Sequence, residues 1–288
     1  MKKKICVVSG SRADWGMLQW PIKVLQEDGT FEVEILTLKE GGCYFSNHGF
    51  YGVYEWYDQF IIGYDLVMVL GDRYEILAAV ISAHLERVPI AHIAGGDVTE
   101  GSYDDAMRDC ISRMASIHFV TSTSAMARLT HMGCKNVHLV GNPGIDYIKH
   151  ADWKKGCLIK KPYVVINYQA ETIDGTNEIK QIISGLDDRV RVFILPNPDR
   201  GSDEITEIIR ESTHPAGSQI HEFLPHDEYL NLIYHCDELI GNSSSMLYEA
   251  PELGIKTRMI GERQRGRTIP WGDGLASQRI LNILKYTL

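Results

Sequence analysis

Short apolar runs alternate with longer amphipathic stretches along the whole chain, and this alternation constrains the fold more than any other feature. Ile5-Cys6-Val7-Val8, Phe31 to Leu38, Asp65 to Leu70, Ile90 to Ile93, Ile117 to Thr121 and Val137 to Val140 are the runs of the first half. Between them lie Met17 to Glu27, Tyr74 to Glu86, Asp104 to Ala115 and Ser124 to His131, each with helical periodicity. Strands buried on both faces and joined by right-handed helical crossovers read this way, so the pattern predicts an α/β fold with parallel sheets. Gly141-Asn142-Pro143-Gly144 and the Lys-rich stretch from Lys149 to Lys161 interrupt it, and a domain boundary is expected there. The pattern then restarts with strands at Tyr163–Ile166, Val190–Leu195, Glu238–Ile240 and near Thr257–Ile260. Helices are expected at Glu178–Gly185, Asp203–Glu211 and Asp227–His235, and a further one opening near Ser244. The expectation is two Rossmann-like domains, 1–150 and 151–288, the second ending in a short C-terminal tail, facing each other across a cleft. A length of 288 residues suits that division at roughly 100–200 residues per domain.

Composition narrows the function. With 29 Lys+Arg against 38 Asp+Glu the net charge is −9, which argues against a nucleic-acid partner, since duplex binding needs a dense basic surface. A few local arginines still suffice for an anionic small ligand. The six cysteines are scattered without a C-x-x-C pair, so neither a zinc knuckle nor a redox motif is written, and reduced thiols are expected. The apolar run after Met1-Lys2-Lys3-Lys4 stops at Ser9-Gly10, too short for a leader. No stretch approaches the roughly 20 apolar residues of a membrane span. A soluble, cytoplasmic protein with no membrane partner is the expectation.

In open parallel sheets ligands collect beyond the carboxyl ends of the strands, so the residues just after each strand carry the functional reading. Ser9 to Gly16 follows the first strand and opens a helix; it is either a phosphate-holding turn with Arg12 as bidentate donor, or a tight turn with a solvated Arg. It is neither a G-x-G-x-x-G nor a Walker loop. Gly71-Asp72-Arg73 follows the most apolar strand, and its acid is placed either for chemistry or to cap the next helix. His92 to Arg108 packs Asp97, Glu100, Asp104 and Asp105 with a Gly pair, a His and an Arg. Asp104 and Arg108 share a helix face at i, i+4, while the acids serve either as an acid–base pair or as first-turn complements to the helix dipole. His92 by itself reads as a satisfied core histidine, and no His/Cys/carboxylate set has metal-ligand spacing. In the second half, Leu195-Pro196-Asn197 and Ile240 to Pro251 follow strands, the latter with Ser243, Ser244 and Ser245 as an anion cradle. Gly261 to Arg267 then brings three arginines, as a diphosphate clamp or a solvated basic loop. No G-x-S-x-G elbow supports a serine hydrolase.

Seven of these segments, in this order, make the chain resemble the hydrolysing UDP-N-acetylglucosamine 2-epimerases of sialic-acid and related nonulosonate synthesis. They are GSRADWG at Gly10–Gly16, GDRYEI at Gly71–Ile76, HIAGGDVTEGSYDDAMR at His92–Arg108, GNPGID at Gly141–Asp146, PNPDRGSDEI at Pro196–Ile205, GNSSSMLYEAP at Gly241–Pro251 and GERQRGR at Gly261–Arg267. The first is closer to the hydrolysing branch than to the reversible epimerases, whose loop is nearer GTRPE. The resemblance implies a GT-B architecture and conversion of a UDP-2-acetamido sugar to its 2-epimer and UDP through a glycal, with no metal or organic cofactor. It places catalytic acids on Asp72, Asp97 and Asp104, and UDP contacts on Arg12, Arg73, Asn197, Ser243, Ser244, Glu249 and Arg263. Glu249, about a turn and a half into its helix, is the residue expected at the ribose hydroxyls. It also implies a homo-oligomer, dimer or tetramer, for which the aromatics Tyr51, Tyr54, Trp56 and Tyr57 are either an interface patch or core filling. Asp97 stands where the family usually has Glu, and Tyr168 where it has His. A non-catalytic UDP-sugar binder and a GT-B glycosyltransferase on the same fold are the two other readings.

Overall fold

The computed structural model describes residues 2–10, 14–37, 43–100, 104–157, 159–160, 162–171, 178–197 and 201–288, with the backbone alone at 43–50 and at 56. These fall into two compact units. Unit 1 runs β1 (Lys3–Ser9), α1 (Trp15–Asp28), β2 (Phe31–Thr37), α2 (Cys43–Phe60), β3 (Leu66–Leu70), α3 (Tyr74–Leu85), β4 (Ile90–Ile93), α4 (Asp105–Met114), β5 (Ile117–Val120), α5 (Thr123–His131), β6 (Val137–Leu139) and α6 (Pro143–His150). Unit 2 runs β7 (Tyr163–Asn167), α7 (Ile179–Ser184), β8 (Val190–Ile194), α8 (Ser202–Glu211), β9 (Gln219–His221), α9 (His226–Tyr234), β10 (Glu238–Gly241), α10 (Glu249–Leu253) and β11 (Thr257–Met259). The last helix, α11 (Ala276–Thr287), returns to unit 1.

Both sheets are parallel throughout, as the runs of Val, Ile and Leu require when both faces are covered. In unit 1 the order is β2-β1-β3-β4-β5-β6 and every residue of β3 and β4 is buried. In unit 2 the order is β11-β10-β7-β8-β9. Each sheet reverses its winding once, at β1/β3 and at β7/β10, and those are the points where the connecting helices leave opposite faces and open a crevice for a ligand. The loops after β3 and β10, which hold Asp72 and Ser243, lie at these two points.

The tail is a correction to the expected division. α11 is an amphipathic helix whose Ile280, Leu281 and Leu284 join Leu18, Ile22 and Leu25 of α1 in one core. Its first amides, of Ala276 and Ser277, donate to the two carboxylate oxygens of the fully buried Asp146 on α6, at 3.1 and 2.6 Å. A cap supplied from 130 residues upstream ties the chain end to unit 1. Thr99 and Glu100 group with unit 2. Of the aromatics near Tyr57, that residue itself fills the core with Val53 and Ile61, while Tyr51 is 63% exposed. Among the described residues no helix is long and apolar enough to cross a membrane.

Candidate functional site

In unit 1 the chain leaves β3 at Gly71, and Asp72 follows. Asp72 does not cap α3: that position belongs to Arg73, which makes no side-chain cap bond. The Asp72 carboxylate instead takes Nη2 of Arg108. Arg108 is 4% exposed. Its Nη1 donates to the Asp105 carboxylate at 2.5 Å and to the Asp97 carbonyl at 2.6 Å. One buried guanidinium thus joins the tip of β3, the loop after β4 and the start of α4, where planar, multiply donating Arg outperforms Lys. Asp104 occupies the cap position of α4 without a side-chain cap bond, so helix capping does not account for its carboxylate.

The Asp97 carboxylate is held from β5, whose following residue, Thr121, places its hydroxyl 2.8 and 3.1 Å from the two oxygens. The loop can turn there because Gly96 has φ +78, and a Cβ would come within 2.6 Å of the Ala125 carbonyl. Behind Asp72, the ring of His92 bridges Gly71 O (2.8 Å from Nε2) and Ser112 Oγ (3.1 Å from Nδ1). A carbonyl only accepts, so Nε2 carries the proton and Nδ1 accepts from the Ser112 hydroxyl. Burial pushes His92 down to about 3, against the raising effect of the Gly71 bond. The expected satisfied core histidine is what the structure holds. Arg73, expected at the nucleotide, lays its guanidinium on Glu75 at 3.2 Å. Arg12 lies outside the described residues.

In unit 2 the site is built from amides and hydroxyls at the ends of β7, β8 and β10. Gly241 has φ +143, and any Cβ would collide with the Asn167 carbonyl; glycine lets the end of β10 press against β7. The fully buried Asn242 grips the main chain of Gln169 twice, accepting its N–H at 2.6 Å and donating to its carbonyl at 2.9 Å. Gln169 in turn donates to Asn167 Oδ1 (2.7 Å) and accepts the N–H of Asn197 (2.9 Å). Asn167 Nδ2 donates to the Tyr229 hydroxyl at 3.2 Å, and that hydroxyl lies 2.6 Å from Ser245 Oγ. From the basic loop, Gln264 donates to the Asn242 carbonyl (2.7 Å) and Arg263 to that of Ala170 (3.2 Å). Ser245 directs its N–H and hydroxyl at Ser243 Oγ (3.4 and 3.2 Å), so Ser243 and Asn197 are joined through one network, with Arg263 on the carbonyl of the neighbouring Ala170 and Ser244 3.0 Å from the Tyr248 hydroxyl.

Two expectations change here. The helix expected near Ser244 is divided into a single 3-10 turn, Ser244–Met246, capped by Ser243, and the short α10. Glu249 is therefore the first residue of its own helix rather than a turn and a half inside a longer one, and its Oε1 accepts from His226 Nε2 at 2.9 Å. Tyr168 is buried in the core of unit 2, its hydroxyl accepting the Glu178 N–H at 3.2 Å and raised by burial, so the polar side chain presented at that strand end is Gln169. Sequence reasoning missed Thr121, Gln169, Asn242, Tyr229 and His226. The signal for His226 was its place between Pro225 and a helix, directly after a loop. Among the described residues no group of three or more His, Cys, Asp or Glu is placed to hold a metal ion.

Two parallel-sheet α/β units with their polar residues gathered at the switch points define the class: a two-domain, Rossmann-like fold of the GT-B type. Solved 2-epimerases share it. The S. aureus MnaA–UDP co-structure matches with a TM-score of 0.78 at 19% identity, covering 99% of this chain and 96% of that one. The Neisseria meningitidis UDP-GlcNAc 2-epimerase bound to UDP-GlcNAc matches with a TM-score of 0.78 at 16% identity, over 98% of this chain and 100% of that one. The chain belongs to the UDP-N-acetylglucosamine 2-epimerase family, whose model matches residues 61–271. Among curated relatives, the Escherichia coli polysialic acid biosynthesis protein P7 is 32% identical over 71% of this chain and 56% of its own length. The Campylobacter jejuni GDP/UDP-N,N'-diacetylbacillosamine 2-epimerase (hydrolyzing) is 28% identical over 92% of this chain and 82% of its own. The Legionella pneumophila UDP-N,N'-diacetylbacillosamine 2-epimerase (hydrolyzing) is 31% identical over 70% of this chain and 58% of its own. The chain thus spans little more than half the length of the E. coli and Legionella proteins.

Proposed function

We propose that the chain is a hydrolysing 2-epimerase that converts a UDP-2-acetamido sugar and water into the 2-epimeric free sugar and UDP. The observation that carries this reading is the convergence of Asp72, the Asp97 carbonyl and Asp105 on the buried Arg108, with the Asp97 carboxylate held separately by Thr121. Elimination needs a carboxylate to take the C2 proton as the C1–O bond to UDP breaks, and hydration needs a proton returned to C2 from the opposite face while water adds at C1. Two differently held carboxylates suit two such roles. Asp72, Asp97 and Asp104 are assigned to this chemistry. Ser243, Ser244, Asn197, Arg263, Arg12 and Arg73 are assigned to the nucleotide diphosphate, and Glu249 to the ribose. The hydrolysing relatives support the choice of water as acceptor.

Proton NMR of the protein with UDP-GlcNAc and with UDP-N,N'-diacetylbacillosamine in D2O tests it. Free UDP with a 2-epimeric sugar deuterated at C2 is expected from one of the two. UDP binding in a calorimeter with neither sugar turned over would instead favour a catalytically silent binder. Asp104→Asn is expected to abolish turnover and keep UDP binding; a variant that turns over at the original rate would remove Asp104 from the mechanism.

A further inference from the structure

Glu249 is not left to orient itself. His226 opens α9 and donates Nε2–H to Glu249 Oε1 at 2.9 Å, and the two side chains are only 13% and 12% exposed. One turn along the same helix, Tyr229 places its hydroxyl 2.6 Å from Ser245. Positions three apart lie on one helix face, so a single face of α9 grips the loop after β10 at two points, Ser245 and Glu249. The first grip belongs to the amide network described above. The second ends on a carboxylate, of which His226 Nε2 meets one oxygen. An ionised carboxylate accepts at about four lone-pair sites, and His226 takes one.

We propose that His226 is a positioning residue that fixes the Glu249 carboxylate to receive the two neighbouring hydroxyls of a ribose, so that unit 2 distinguishes ribonucleotides from 2′-deoxyribonucleotides through this pair. The inference rests on the nucleotide reading of the site. A glutamate at the start of a helix has three side-chain torsions, and an unheld carboxylate would lose that freedom on binding the diol. Holding it beforehand moves this cost out of the binding step. A site built to accept a hydroxyl also rejects the analogue that lacks it, because its acceptor is left unpaired. His226 and Glu249 come from different helices, separated by 23 positions, so their pairing is set by the fold rather than by a local turn.

The test is calorimetric titration of the full chain with UDP and with 2′-deoxy-UDP, which needs no turnover. The wild-type protein is expected to prefer UDP by at least about tenfold. His226→Asn, whose amide is too short to reach the place of Nε2, should weaken UDP roughly tenfold and bring the preference close to unity. His226→Gln, whose amide does reach that place, should restore the preference to within about threefold of the wild type. A purely structural pair would lower thermal stability in both variants without changing the ratio. A His226→Asn protein that folds and keeps the wild-type ratio would overturn the inference while leaving the nucleotide reading intact. A wild-type protein that binds neither nucleotide would overturn that reading, and this inference with it.

Discussion

Thr121 offers a direct way to separate how Asp97 is held from whether it is present. Thr121→Val keeps the shape of a fully buried side chain and removes the hydroxyl that lies 2.8 and 3.1 Å from the carboxylate. A carboxylate displaced by even about 1 Å can cost on the order of 100-fold in rate. The expected result is a fall in kcat of roughly ten- to a hundredfold with KM nearly unchanged, read by steady-state release of UDP. Arg108 makes the contrasting case. Arg108→Gln removes the buried cation that Asp72 and Asp105 share and should lower stability by about 3–5 kcal/mol in urea titration, with loss of turnover. At this scale the sequence showed the acids but not their partners. Spacing pointed Arg108 at Asp104, four positions away, while the guanidinium reaches Asp105 and, from 36 residues upstream, Asp72. Thr121 and Asp97 are separated by 24 residues and meet only because β4 and β5 are neighbours.

Strands were the most legible elements, because β3, β4, β5 and β7 are buried on both faces and appear in sequence as plain apolar runs. Helices whose start is fixed from a distance were not. α6 begins at Pro143, inside the segment expected as a break: β6 ends at Leu139, two residues before Gly141, but Pro is well suited to a first helical turn and the helix follows at once. α11 has a regular apolar stripe, Ala276, Ile280, Leu281 and Leu284, yet carries no local cap, because Leu275 precedes it and Asp146 supplies the acceptors. This dependence is testable. Asp146→Ala strips two buried amides of their acceptor and should cost about 1–2 kcal/mol or somewhat more. Asp146→Asn, which keeps one carbonyl oxygen, should cost less. Urea titration monitored by far-UV circular dichroism checks both, and no loss in either variant would mean that α11 is held by its apolar face alone.

At the scale of the whole molecule, the two units should differ in their response to acid, because among the described residues the imidazoles that resist protonation lie in unit 1. Burial takes His92 down to about 3 and, with the neighbouring His138, takes His118 down to about 4. Neither ring nitrogen of His118 has a hydrogen-bond partner among the described residues, so its charged form has nothing to lean on. Both groups are depressed below their ordinary value of 6.5. Below that pH the unfolded chain binds protons that the folded unit refuses, and stability falls as pH falls, by up to about 1.4 kcal/mol per pH unit for each group. The loss starts near 6.5 and runs down to about 4 for His118 and about 3 for His92. Carboxylates held low by cations, among them Glu238 in unit 2 and Asp273 in unit 1, give up their contribution only below their ordinary values of 4.5 and 3.8. Between pH 7 and 5 the histidine effect therefore acts by itself on unit 1. Scanning calorimetry at those two pH values should resolve two transitions, with the one belonging to unit 1 moving down by several degrees more than the other. His118→Leu identifies it: removing one of the depressed rings, which include His138 as well as His92 and His118, should flatten the pH dependence of that transition, whereas transitions that shift together in both proteins would place the acid sensitivity outside these imidazoles.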